Sequence, residues 1–205
     1  MQALFAERVW LGGFYELALK YESASDALLD KGLQRIWEFA DLQGCYLRPD
    51  IEPSHQPRIA PSLAILKANG HLRGIATIPH GKQVACGNCL VCEEQGPAWV
   101  SLYLPLGGLA TVYEVGAYPF EQTVSCRSWR EPLEKWLAAV GEFVFSKVPF
   151  QLGLVGFEVS GMVSAEDLAV SGVPQKRSVG YLYVTDHHLS WYPTNQWHPT
   201  PEPAS

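Results

Sequence analysis

The sequence predicts an α+β fold: a largely antiparallel sheet with two main helices packed on it, forming a single domain over residues 1–192. Three observations lead there. Strand-like segments follow one another through the middle third and recur near the end, as in antiparallel sheets. Two long segments carry apolar residues at helical spacing and lie far apart in the chain. The strict β-α-β-α alternation of a doubly wound sheet is missing, and so is a Gly-rich phosphate loop after a strand. With 205 residues the chain suffices for one core and is short for two.

The elements read in order as follows. Gly13 to Tyr21 alternates, with Tyr15, Leu17, Leu19 and Tyr21 on one face. This favours a strand over the helical stripe that Phe14, Leu17, Ala18 and Tyr21 also fit. Ser23 with Asp26 resembles a capping box, with Ser25 as the alternative cap, and opens a helix over residues 25–40. Its stripe is Leu28, Leu29, Leu33, Ile36, Trp37 and Ala40, and Gly44 ends the unit. Cys45–Leu47 is a short strand candidate. Residues 48–61 form a proline-rich loop, and Leu63–Lys67 is a short strand or a turn of helix.

Leu72–Ile78 and Lys82–Cys86 form a hairpin around Pro79-His80-Gly81. Leu90–Glu93 and Trp99–Leu104 extend the β region. Gly107-Gly108 marks a turn before an extended Ala110–Val115. The strongest helix covers residues 129–147, with Ser128 and Glu131 as a capping box and Pro132 in the first turn. Trp129, Leu133, Trp136, Leu137, Val140, Phe143 and Val144 form its apolar stripe. Phe150–Val159 is a strand. Ser164 with Asp167 opens a short helix to Val170, stopped by Gly172 and Pro174. Val179–Val184 and Leu189–Tyr192 form a last hairpin around Asp186–His188. Residues 193–205, rich in proline, are expected to be a disordered tail.

Charge narrows the partners. The net charge is −6, and the fifteen Lys and Arg are scattered, Lys176-Arg177 being the densest pair. Nucleic-acid binders gather cations to displace counterions from phosphates, and anionic membranes attract similar clusters. Neither class of partner is expected. The longest uncharged stretch, Gln95 to Tyr113, contains Gly96, Pro97, Pro105, Gly107 and Gly108, which would break a spanning helix. Met1 to Trp10 has no apolar core of a signal peptide, so a cytoplasmic location is expected. Only 18% of residues are charged, against about a quarter in ordinary domains. Part of the surface is therefore neutral polar or apolar. Seven Trp and nine Tyr make a protein-binding face one reading of that surplus.

Cys86-Gly87-Asn88-Cys89-Leu90-Val91-Cys92 is the most specific-looking segment. Cys86, Cys89 and Cys92 offer three thiolates for zinc, with Cys45, Cys126 or His80 as a fourth ligand, but no second Cys-x-x-Cys exists. The structural alternative is a hairpin turning at Gly87-Asn88, with thiols buried as small hydrophobes. In an extended segment Cys86 and Cys92 point one way and Cys89 the other. Other candidates are thinner. In Asp186-His187-His188 the aspartate could orient an imidazole for general-base work, or the segment is a plain polar turn. Glu158 is a carboxylate near a strand end. Arg127 and Arg130 flank Trp129 at the start of the long helix, where an anion would be favoured. Tyr181, Tyr183 and Trp191 offer aromatic faces on the last hairpin.

No catalytic motif accompanies these groups, so the sequence leans away from an enzyme. It supports two functions. One is a non-catalytic protein-binding protein of the inhibitor or immunity-like kind, with an exposed aromatic patch expected on the free monomer. The other is a zinc-binding or thiol-dependent protein centred on Cys86, Cys89 and Cys92.

Overall fold

A computed structural model describes residues 3–22, 25–92, 98–116 and 124–195, with side chains of the long helix from residue 127 onward. The fold is α+β. Eight strands form one sheet: β1 (Phe14–Tyr21), β2 (Leu42–Tyr46), β3 (Leu72–Ile78), β4 (Lys82–Cys92), β5 (Ala98–Pro105), β6 (Leu152–Phe157), β7 (Gly180–Thr185) and β8 (His188–Tyr192). Their order is β2-β3-β4-β5-β1-β6-β7-β8, and every neighbouring pair is antiparallel. The helices are α1 (Asp26–Trp37), α2 (Leu63–Asn69), α3 (Leu106–Leu109), α4 (Val124–Phe145) and α5 (Ala165–Ser171).

Strand alternation splits β1 between two layers. Tyr15, Leu17, Leu19 and Tyr21 face α1 and α4, where Leu29, Leu33 and Ile36 of α1 meet Leu133, Leu137, Val140 and Val144 of α4. Glu16, Ala18 and Lys20 face the opposite side. That side is covered in two places. The connection carrying α5 lays Val159, Leu168 and Val179 over Trp99, Leu152, Leu154 and Tyr181. The N-terminal segment lays Phe5 and Val9 over Tyr46 and Ala85. A strand covered on both sides carries buried residues at nearly every position, as β1 does.

Several sequence expectations match closely. The β3–β4 hairpin turns at Pro79–Gly81, where His80 and Gly81 have φ of 68° and 69°. Helix α5 is capped by Ser164, whose Oγ accepts from Asp167 N at 3.0 Å, and stops at Gly172 with φ 72°. The last hairpin turns on two residues, Asp186 and His187, both at positive φ (48° and 65°), with Thr185 opposite His188. That twist suits flanking strands. The ambiguous Leu63–Lys67 is helical, because Ser62 Oγ accepts from Ile65 N and Gly70 ends the turn.

Other expectations are corrected. Gly87-Asn88 is no hairpin turn: β4 runs unbroken for 11 residues, with Gly87 opposite Tyr103 and Asn88 opposite Leu102. Strands β3 and β5 occupy both its edges, so backbone pairing outweighs the local turn preference. Helix α4 starts at Val124, not 129, so Ser128 lies inside it rather than at its N-terminus. Pro132 then sits in the helix interior, where it has no N–H to give to the helical ladder. Gly107-Gly108 belongs to the one-turn helix α3, pressed onto the backbone of the 3-10 turn Glu7–Trp10, and a Cβ on Gly107 would lie 2.2 Å from Arg8 O. Helix α1 ends at Trp37 and β2 begins at Leu42. Glu93 lies outside the described residues. Of the expected tail, Pro193–Asn195 is described and held: Asn195 N donates to Arg177 O, and Arg177 Nε to Pro193 O, at 3.0 and 2.9 Å. Residues 196–205 lie outside the described residues.

Candidate functional site

The N-terminal segment is tied down at several points. Leu4 N and Phe5 N donate to the two carboxylate oxygens of Glu52, at 3.1 and 2.8 Å. Trp10 Nε1 donates to Pro49 O at 3.0 Å. Gly107 N donates to Leu11 O, and Leu106 N to Gly13 O. Between this segment and the adjoining ends of β1, β3 and β5 lies a cleft of about 710 Å³, within the range of small-molecule sites.

Its walls follow from strand parity. Arg73 on β3 and Tyr103 on β5 point to the face away from α1 and α4, as does Phe14 at the start of β1. Phe5 and Trp10 come from the N-terminal segment, and His71 precedes β3. The rings are in contact: Phe5 and Trp10 centroids are 5.2 Å apart, Phe14 and Tyr103 5.1 Å, and His71 and Tyr103 5.6 Å. His71 Nδ1 lies 3.1 Å from the Tyr103 hydroxyl. Burial, helped by the Arg73 charge, lowers the pKa of His71, so its imidazole is neutral at pH 7. Burial raises that of Tyr103, which stays protonated. The Tyr103 hydroxyl and Nδ1 share this hydrogen bond, the tautomer of the imidazole setting which of the two donates.

Arg73 has an unusual set of contacts. Its Nη1 donates to Leu47 O at 2.8 Å, and its guanidinium lies 5.6 Å from the centre of the Trp10 ring. Its buried Nε has no hydrogen-bond partner, and no carboxylate lies within ion-pair distance, among the described residues. The carboxylates of the cleft are differently placed. Those of Glu52 and Asp50 are occupied, the latter by the Arg48 fork at 2.8 and 3.1 Å, whose hydrogen bonds hold its pKa down. Glu7 stands exposed at the rim.

Directly beyond Tyr103 on the same face is its register partner Glu16, fully buried. Glu16 accepts from Ser160 N at 2.9 Å and from Ser160 Oγ at 3.1 Å, and Ser101 Oγ lies 2.8 Å from Ser160 Oγ. Burial raises the pKa of Glu16, opposed by the hydrogen bonds of Ser101 and Ser160. A second buried carboxylate, Glu134, belongs to α4 and points into the layer between that helix and the sheet. It accepts from the Tyr15 hydroxyl, and Arg130 donates to that hydroxyl at 3.2 Å. Both networks close on themselves through hydrogen bonds, as buried polar groups in a core do.

The residues singled out in the sequence are scattered. Cys86 is buried among the core residues on the helix side, Cys89 is buried on the other face opposite Ser101, and Cys92 is exposed near the end of β4. One continuous strand cannot turn these sulfurs onto a common ion. Among the described residues no three His, Cys, Asp or Glu are grouped as metal ligands. Burial pushes the thiols of Cys45 and Cys89 up to about 12, which suppresses thiolate chemistry. The side chain of Cys126 lies outside the described residues. Arg127 is exposed beside Glu131, Trp129 is buried and stacked on Tyr113, and Arg130 pairs with Glu134. Tyr181 is buried and Tyr183 half-buried on the face away from α4, while Trp191 packs over Gly180 on the other. The large hydrophobics most exposed among the described residues are Leu11, Val91, Met162 and Val170, none of them aromatic.

Sequence reasoning passed over Trp10, His71 and Arg73. They carry no motif, and only the pairing of β1, β3 and β5 brings them together. The one available signal was an arginine at an outward parity position in an otherwise apolar strand. No helix among the described residues is long and apolar enough to cross a membrane. Compared with known proteins, the chain matches no family model, no curated protein and no solved structure.

Proposed function

We propose that the chain is a non-catalytic binding protein and that the cleft under its N-terminal segment is where it binds. The observation that carries this reading is the cleft itself: four aromatic rings and a guanidinium without a carboxylate partner among the described residues, around about 710 Å³. Apolar walls with a few convergent polar groups are the ordinary make-up of a ligand site. Several groups that could do chemistry are otherwise engaged. The thiols of Cys45, Cys86 and Cys89 are buried and held protonated, Glu16 is enclosed by two serines, and His71 is held by Tyr103. A protein partner of the inhibitor or immunity-like kind has less in its favour, because the described residues show no exposed aromatic patch. Zinc at Cys86, Cys89 and Cys92 has less still, since Cys89 faces away from the other two.

The test is ligand-observed NMR with a mixed set of aromatic fragments. Several fragments should bind, displace one another, and lose at least about tenfold in affinity in Trp10→Ala, the loss of a packed aromatic contact being worth more than 1.4 kcal/mol. Thermal unfolding of the variant establishes that it folds. No binding, or binding indifferent to Trp10→Ala in a folded variant, would overturn the reading.

A further inference from the structure

We infer that the ligand of the cleft is a small planar aromatic carboxylate, its ring lying among Trp10, Phe14 and Tyr103 and its anionic end on Arg73; this deepens the reading above and rests on it. The argument starts from how this protein treats its arginines. Arg35, Arg48, Arg127 and Arg130 each have a carboxylate at 2.6 to 3.5 Å. Arg58 gives two hydrogen bonds to Gly44 O, and Arg177 spends its guanidinium on the carbonyls of Pro193, Pro174 and Gln175. Arg73 gives one hydrogen bond, to Leu47 O, although its side chain is half-buried beside an indole ring. Its remaining donors have no partner among the described residues. A half-buried guanidinium with most of its fork unused is a standing cost, and a bidentate carboxylate is the group whose geometry matches that fork.

Charge excludes the opposite choice. Among the described residues Arg73 is the single cation lining the cleft, since His71 is held neutral. A cationic ligand would leave the fork unused and add a like charge beside it. The carboxylates that might attract a cation are engaged, Glu52 by two backbone N–H groups and Asp50 by Arg48, and only Glu7 at the rim is not. A single fork matches one unit of charge, so a doubly charged phosphate would bring a second that it leaves unmatched. The neutral His71 adds a polar ring without adding charge. Rings on several sides and one fork at the end describe a flat, singly charged molecule.

Titration calorimetry with naphthoate, naphthylmethanol and naphthylmethylamine tests this directly, since the three share a ring and differ in charge. Naphthoate should bind at least about tenfold more tightly than the other two. That preference should disappear in Arg73→Gln, and in the wild type it should shrink as sodium chloride is raised. The salt series is read on unaltered protein and so stands even if the variant does not fold. If the alcohol or the amine binds as well as naphthoate, or if the preference survives both Arg73→Gln and high salt, the carboxylate assignment falls while the cleft remains a binding site. If none of the three binds, the cleft reading falls with it.

Discussion

Glu16 sits in the central strand with no exposed surface, and its hydrogen bonds to Ser160 and Ser101 only partly replace the water it has lost. Desolvation therefore holds its pKa above the unfolded value of about 4.3. Between those two values the folded protein binds a proton that the unfolded chain has released. Stability then falls as pH rises through that window, and levels off above the folded pKa. Glu134, raised by its burial between α4 and the sheet, acts in the same direction, whereas Asp50 and Glu131, exposed and lowered by their Arg and Lys partners, act oppositely. Urea unfolding of wild type and Glu16→Gln across pH 4 to 8 isolates the Glu16 part. The variant should lose less stability on going to neutral pH, each tenfold change in proton affinity being worth about 1.4 kcal/mol. Identical pH profiles would mean that the carboxylate is not desolvated in the folded state.

At the scale of elements, α1 meets the sheet edge through one ring. The indole of Trp37 lies across Gly44 of β2 and Gly74 of β3, and a Cβ on Gly74 would stand 2.4 Å from that ring and 2.6 Å from Gln43 O. A side-chain ring can shift, but the backbone carbonyl is fixed by strand pairing. Gly74→Ala should cost about 1–3 kcal/mol by overpacking. Gly70→Ala serves as a contrast. It has open space around it and a positive φ of 74°, so its cost should come from backbone strain alone. Denaturant midpoints of the two variants separate these effects, and an unperturbed Gly74→Ala would show that the helix is not seated on the glycines. The same scale explains α4. Its apolar stripe was legible from 129 onward, but its true start was not, because a helix of 22 residues packed on a broad sheet tolerates an interior proline that an isolated segment would not.

For the molecule as a whole, the cleft exists because a segment from one end of the chain is fastened to a loop 47 residues away. Glu52 makes that fastening by accepting from two consecutive backbone N–H groups. Glu52→Ala should leave both without an acceptor, at about 1–3 kcal/mol if they remain buried. The segment is small beside the main core, so the effect should be local. Amide exchange of Leu4 and Phe5 should accelerate and fragment binding should weaken, while the exchange of β1, β4 and β5 amides stays protected. Loss of protection throughout the sheet would instead make the segment an integral part of the core.

The sequence by itself determined the fold class, the hairpins at Pro79–Gly81 and Asp186-His187, and the short helix capped by Ser164, because each depends on residues within a few positions of one another. Local turn and cap preferences and the alternation of apolar residues act at that range. The tertiary structure alone decided that β4 passes straight through Gly87-Asn88, that Cys86 and Cys89 face apart, and that Trp10, His71, Arg73 and Tyr103 surround one cleft. These follow from which strands become neighbours and in what register. That choice is made by burying both faces of the sheet at once, a condition that no short stretch of the chain encodes.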